Sequence, residues 1–312
     1  MKILVAGGAG FIGSHVVDSY IKNGHRVWVV DDESTGRRSN VNKKALYRRL
    51  DIRDRKRLLG IFNKTKFDVI NHHAAQIDLR YSVTDPQFDA TVNILGTLNL
   101  LEGAALCRAQ KFIFSASGGT AYGDCRRPAK EGDPENPLSP YGVAKLAAEK
   151  YISAFSSMYG LKFTIFRYAN VFGPRQDPHG EAGVVAIFAD KILSNERPFI
   201  FGTGNQTRDF VFVSDVAQAN VLALRAGHNQ IINIGTAQET SVNDLWKEMA
   251  SISRCHLKPI YKPGRRGELN RSFLNINRAG KLLGWSPHYS LRRGLEETWL
   301  YFKNTHPDRR KS

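Results

Sequence analysis

The chain has 312 residues, 42% apolar and 24% charged, the proportions of a globular protein with one large domain or two smaller ones. Its +16 formal charge, from 45 basic and 29 acidic side chains, points to anionic partners; with no finger, homeodomain-like or RNA-binding motif, general anion attraction ranks ahead of specific nucleic-acid binding. No apolar run is long enough to span a bilayer and MKILVAGG reaches glycine too soon for a signal-peptide core, so we expect a cytoplasmic protein with no membrane contact.

In chain order, ILVA at 3–6 reads as a buried strand, followed by glycines and a helical pattern through Phe11, Ile12, Val16, Val17, Tyr20 and Ile21. VWVVD at 27–31 is a second strand. Similar runs recur at ALYRRLD (45–51), FDVINHHA (67–74), KFIFSAS (111–117) and FTIFRYAN (163–170), with helical stretches between most of them. The alternation predicts an α/β fold, a doubly wound parallel sheet over residues 1–170. Beyond about residue 171 the rhythm loosens into loops rich in Gly, Pro and Asn. Then come VAIFADKIL, RDFVFV, DVAQANVLAL, IINIG, SVNDLWKEMAS and LRRGLEETWLYF. We expect a smaller C-terminal α/β lobe over 171–312, with elements free to cross between the lobes.

GGAGFIG at 7–13 sets Gly7, Gly10 and Gly13 at three-residue spacing between the first strand and first helix. Glycines there let backbone approach a pyrophosphate, and the helix N-terminus, including Phe11 and Ile12, offers N–H groups and a favourable dipole. Asp31 ends the second strand, where a carboxylate can hold a ribose hydroxyl pair and repel a 2′-phosphate. The expected cofactor is therefore NAD rather than NADP, with Arg37 and Arg38 nearby as a weak counter-argument. In SPYGVAKLAAEK, Pro140 and Ser139 suit a helix start, and Tyr141 and Lys145, four apart, share one helix face. A solvated face would carry such a pair too, so the context must decide.

Cys107, Cys125 and Cys255 are too unevenly spaced for a disulfide framework or a zinc site; we expect reduced thiols and no metal. His72 and His73 read as packing residues at a strand end and His179 as a loop residue. The basic pairs at Arg48-Arg49, Arg126-Arg127, Arg265-Arg266 and Arg292-Arg293 and the tail DRRKS read, apart from Arg265, as solvated surface.

With GGAGFIG, SASGGTAYG (115–123) and YGVAK (141–145), the chain resembles the extended short-chain dehydrogenase/reductase family over nearly its whole length. FRYANVFGPRQDPHGEAGVVAIFA (166–189) and QTRDFVFVSDV (206–216) are similar to the motifs of UDP-glucose 4-epimerases and close relatives. The resemblance implies a Rossmann fold, bound NAD and a catalytic set of Ser117, Tyr141 and Lys145. Tyr141 would take the proton of a sugar hydroxyl as phenolate, favoured by the Lys145 ammonium and the nicotinamide charge. Ser117 would hold the same oxygen, although the extra glycine in SGGTAYG leaves Ser115 and Thr120 as alternatives.

The resemblance further assigns Asp51 and Ile52 to the adenine, Ala74, Ala75 and Gln76 to the loop beside the cofactor phosphates, Asn93 to steadying that region and Tyr168 to the nicotinamide. Asn170, Arg208, Arg265 and Glu268 would hold a UDP-sugar, arginine suiting the diphosphate through its planar fork. Ser272 stands where narrow-pocket members carry tyrosine, which leaves room for an N-acetyl group and extends the expected substrates from UDP-glucose and UDP-galactose to UDP-GlcNAc and UDP-GalNAc. A 4,6-dehydratase would need a carboxylate where Gly118 and Gly119 stand. A UDP-glucuronate decarboxylase or 4-epimerase shares most of these motifs. A non-catalytic NAD sensor would have no use for Ser117, Tyr141 and Lys145. Relatives commonly form homodimers through the Tyr141 helix and the helix near residues 90–106.

Overall fold

The structure is a computed structural model that describes residues 1–179, 183–265 and 268–305. Arg266, the tail DRRKS and the stretch 180–182 of the quoted loop motif lie outside the described residues.

Seven strands, β1 to β7 in chain order, form one sheet: Lys2–Ala6, Arg26–Asp31, Leu46–Arg49, Val69–His72, Lys111–Ser117, Lys162–Tyr168 and Gln230–Ile234. They are all parallel and lie side by side as β7-β6-β5-β4-β1-β2-β3. Successive side chains of a strand point to opposite faces, and the burial follows that period. Ile3, Val5, Val27 and Val29 pack on one face with Val16, Val17 and Tyr20 of the helix Phe11–Lys22 and Val216 and Ala219 of the helix Val213–Ala223. Leu4, Ala6, Ile70, Phe112 and Phe114 pack on the other with Leu58, Leu100, Leu101, Ala148 and Ile152, from helices Arg55–Lys64, Gly96–Leu106 and Pro140–Tyr159. Each face buries a continuous apolar layer, so the sheet is doubly wound. Strand order reverses between β1 and β4, the crevice where open α/β sheets bind ligands.

Chain segments cross the expected division at residue 170. IINIG, expected in the smaller lobe, supplies β7 beside β6, and the helix before it packs on the first helix of the chain. The rest of the C-terminal segment builds a second core of Phe172, Phe188, Phe212, Trp246, Leu295 and Phe302. Its strands are very short: Asn170–Phe172 pairs with Phe210–Phe212, and Thr207–Arg208 lies between Thr240–Ser241 and Arg271–Ser272.

Candidate active site

A cavity of about 730 Å³ opens at the carboxyl ends of the sheet strands, spanning the reversal point and the smaller lobe. Its size suits a small-molecule or cofactor site. At its floor the first glycine loop passes so close to the loop after β4 that a Cβ on Gly7 would stand 2.4 Å from Ala74 N, and Gly7 has φ +79°. A Cβ on Gly13 would lie 2.1 Å from the Gly7 carbonyl oxygen. Backbone alone fits this turn. The helix it opens, Phe11–Lys22, has no side-chain cap, and Gly10, Phe11, Ile12 and Gly13 all line the cavity. An uncapped helix start facing a cavity is where a pyrophosphate binds, so the chain's own geometry fits a dinucleotide.

Asp31 ends β2 at the wall of the same cavity. Its two oxygens accept N–H bonds from Ala9 at 2.9 Å and Glu33 at 2.8 Å, and burial pushes its carboxyl up from the ordinary value. The acid thus braces the glycine loop while standing beside it. Arg37 also lines the cavity. Asp51 and Ile52 form the next part of the wall, and Asp51 is paired with Arg53 at 2.5 Å.

Ala74 and Ala75 line the cavity, but Gln76 and Asn93 do not. Gln76 N–H donates to Asn93 Oδ1 at 3.1 Å and Asn93 Nδ2 donates back to the Gln76 carbonyl at 3.0 Å. Both amides also donate to Asp89 Oδ1 at 2.9 Å. These bonds fix the loop of Ala74, Ala75 and Gln76 that is expected beside the cofactor phosphates. Asn93 sits in a π-helical turn, Thr91–Leu95, whose wider coil turns its side chain towards that loop.

Ser139 caps the helix Pro140–Tyr159, its Oγ accepting from Gly142 N–H at 3.2 Å, with Pro140 in the first turn. Tyr141 and Lys145 reach the cavity from the first two turns of this helix. Lys145 Nζ donates to the Ser115 carbonyl at 3.0 Å and lies 4.6 Å from the Phe114 ring centroid and 6.0 Å from that of Tyr141. Burial pushes the Tyr141 phenol up, with a further push from Asp89, and brings Lys145 down to about 8. Burial opposes the phenolate, and the positive ring of a bound nicotinamide, on which the expectation also rests, acts in the other direction.

Ser117, Ser115 and Thr120 all line the cavity, and their hydrogen bonds separate them. Ser115 Oγ donates to the His72 carbonyl at 3.1 Å, and Thr120 Oγ1 points at the Ser117 carbonyl at 3.5 Å. Ser117 Oγ accepts from Thr120 N–H at 3.4 Å, which leaves its own proton for a ligand. Tyr168 stands directly opposite Ser117 in the β5–β6 register, and its hydroxyl accepts from Asn220 Nδ2 at 2.8 Å.

Across the cavity, Asn170, Arg208, Arg265, Glu268 and Ser272 line the wall built by the smaller lobe. Arg208 Nη1 donates to the Thr207 carbonyl at 2.8 Å and its Nη2 lies 3.7 Å from Glu268 Oε1; burial lowers its pKa. The Arg265 guanidinium stacks 3.6 Å from the Phe201 ring centroid. Ser272 lies behind Gly119, whose added Cβ would approach Ser272 Oγ to 3.3 Å.

Sequence reasoning missed some of the lining. Arg80 and Arg175 border the cavity, as does His179 in its expected loop. His72 is the packing residue expected, its Nε2 3.0 Å from Thr97 Oγ1, whereas His73 faces the cavity with its ring parallel to Tyr168 at 6.4 Å. Burial holds His73 at about 3, so it is neutral in the working pH range. Among the described residues no cluster of His, Cys, Asp or Glu could hold a metal ion, and no helix is long and apolar enough to cross a membrane.

Comparison with known proteins finds full-length relatives. A UDP-glucose 4-epimerase of Mycolicibacterium smegmatis is 44% identical over 311 residues, covering 97% of this chain and 99% of its own. The crystal structure of the Thermotoga maritima UDP-glucose 4-epimerase with UDP-glucose superposes with a TM-score of 0.96 at 47% identity, covering 98% of this chain and 99% of that one. The Thermus thermophilus UDP-glucose 4-epimerase in complex with NAD gives 0.92 at 39% identity, covering 97% and 99%. Residues 3–235 match the model of the NAD dependent epimerase/dehydratase family, and with these full-length likenesses the chain belongs to that family.

Proposed function

We propose that the chain is an NAD-dependent epimerase that inverts C4 of a UDP-hexose, interconverting UDP-glucose and UDP-galactose through a transient 4-keto sugar. The observation that carries this reading is the single cavity in which Ser117, Tyr141 and Lys145 meet the glycine loop on one side and Arg208 and Arg265 on the other. NAD, when bound, supplies a reversible hydride acceptor and a positively charged ring. Ser117 donates a hydrogen bond to the C4 oxygen and fixes it, keeping its own proton. Tyr141 accepts the C4 hydroxyl proton as that carbon becomes a ketone and returns it after the sugar has turned over. Lys145, held by the Ser115 carbonyl, keeps positive charge below the tyrosine. Arg208 and Arg265 hold the diphosphate while the hexose beyond it is left free to swing. The small Ser272 widens the sugar end, so UDP-GlcNAc and UDP-GalNAc belong to the proposed range.

The helix Gly96–Leu106 and the helix Pro140–Tyr159 expose Leu106, Val143, Tyr151 and Met158, with Leu95 just ahead of the first. A second copy of the chain laid on these apolar positions would give a four-helix contact, and we assign a homodimer to it.

Incubation of the purified protein with UDP-galactose, UDP-GalNAc and UDP-glucuronate, without added NAD, followed by resolution of the products tests the reading. C4 epimers of the first two are expected. A 4-keto-6-deoxy sugar, or loss of carbon dioxide from the uronate, would replace it with a dehydratase or a decarboxylase.

A further inference from the structure

Arg167 is a charged side chain with no exposure at all, on β6, next to Tyr168 of the cavity wall. Strands in such a sheet rarely bury a guanidinium, because removing it from water is costly unless every charge is matched. Its Nε donates to Glu149 Oε1 at 3.0 Å and its Nη2 to Glu149 Oε2 at 2.6 Å, a two-pronged grip on a carboxylate that is itself 2% exposed. Nη2 also donates to Glu135 Oε1 at 2.6 Å, and Glu135 Oε2 accepts from Lys150 at 3.1 Å. The face of the guanidinium lies 4.9 Å from the ring centroid of Tyr122, whose hydroxyl donates to Asn233 Oδ1 at 2.9 Å.

These three contacts fall on three different segments. Glu149 is one helical turn beyond Lys145 on the helix Pro140–Tyr159. Glu135 belongs to the connection leading into that helix, six residues before Tyr141. Tyr122 ends the short helix Gly118–Tyr122, whose cap is Ser117. From these contacts we infer that Arg167, with Glu149 and Glu135, is a positioning device that sets Ser117, Tyr141 and Lys145 in one fixed relation, acting through the segments that carry them. The inference rests on the proposed roles of those three residues.

Stability alone gives a poorer account of the cluster. Replacing a buried ion pair by packed apolar residues is often neutral or stabilising, whereas the planar fork of arginine defines direction as well as distance. The cluster also touches the charge of the site. Lys145 faces Tyr141 and Glu149 from its own helix, Asp89 from the helix Pro86–Ala90, and His72 and His73 from the end of β4; both histidines are held neutral by burial. Asp89 and Glu149 are the anions that favour its protonated form.

The test compares Glu149→Gln, Arg167→Lys and the apolar pair Glu149→Leu/Arg167→Met with the unaltered protein. Readouts are thermal melting, bound NAD, kcat and KM for UDP-galactose, and the pH dependence of kcat. The pair is expected to melt near the unaltered protein and retain NAD, with kcat reduced at least tenfold and KM within twofold. Arg167→Lys, which keeps the charge and loses the fork, is expected to fall between. Glu149→Gln is expected to move the alkaline limb of kcat to lower pH, because Lys145 loses an anion. A folded apolar pair with kcat within twofold of the unaltered protein would overturn the inference. If the pair does not fold, Glu149→Gln decides, an unshifted profile with full kcat counting against it. Tyr141→Phe runs alongside: its full activity would remove the underlying roles, whereas its inactivity beside fully active cluster variants would remove only the positioning device.

Discussion

The two walls of the cavity are built in different ways. On the cofactor side, the turn between β1 and its helix is backbone pressed on backbone, with a Gly13 Cβ excluded at 2.1 Å and the Asp31 carboxylate tied to Ala9 and Glu33 N–H. On the proposed sugar side, Arg208 and Ser272 ride on two-residue strands, and Glu268 keeps 31% of its side chain in solvent. The first wall permits one geometry; the second grips by a few side chains. That division suits a reaction in which one ligand must stay put and the other must turn over between two half-reactions, since an equally tight grip on the hexose would stop it.

The largest expected effect comes from the residue between the walls. Tyr141→Phe removes the proposed proton acceptor and should lower kcat by about 10³-fold, within the usual range for general acid–base catalysis. Bound NAD, read from absorbance after denaturation, should be unchanged. Loss of NAD in this variant would show that Tyr141 belongs to the rigid wall as well.

Gly13→Ala attacks that wall directly. The new methyl must displace the Gly7 carbonyl, an overpacking expected to cost about 1–3 kcal/mol of stability. Thermal melting should fall and copurified NAD should be lost together. Melting that falls with NAD fully retained would contradict the division between the walls.

On the sugar side, effects should appear in binding or selectivity rather than in fold. Arg208→Lys keeps a charge but loses the fork, and KM for UDP-galactose is expected to rise about tenfold, ~1.4 kcal/mol, with melting unchanged. Ser272→Tyr should reduce the kcat/KM for UDP-GalNAc relative to UDP-galactose by about 10-fold, measured by competition between the two.

The smallest effect is a pH limb. Lys145 is brought down from 10.5 to about 8 by burial, so its positive charge is present below that value and lost as pH rises through it. If the charge supports proton transfer, kcat should decline on the alkaline side near pH 8, while NAD content stays level. A kcat flat to pH 10 would exclude a role for the ammonium.

The large sheet was legible because parallel strands buried on both faces read as unbroken apolar runs, and KFIFSAS and VWVVD appear within a residue of their observed limits. IINIG carried the same signature but not its address, since nothing within a strand says which neighbour it will join. The glycine loop and the Tyr141–Lys145 pair were readable as local spacing. The bracing bonds of Gln76 were not readable, because the donors that flank a loop look the same whether they face a ligand or brace it. Arg80, on the short helix Leu79–Thr84, and Arg175, in a loop, became visible as cavity residues only once the fold had brought them to the rim, for an arginine there has the same neighbours in sequence as one in solvent. The upward push on the Tyr141 phenol lay beyond sequence too, because desolvation depends on everything packed around the group.

The place of β7 has a consequence for how the polypeptide is made. When the ribosome has released the first 170 residues, β6 still has an open edge and the helix Phe11–Lys22 still lacks the cover of Val216 and Ala219. The nucleotide-binding half cannot finish folding until some sixty further residues have emerged and Gln230–Ile234 has docked, so a ribosome-stalled fragment ending near 170 would expose a sticky strand edge to chaperones or to its neighbours.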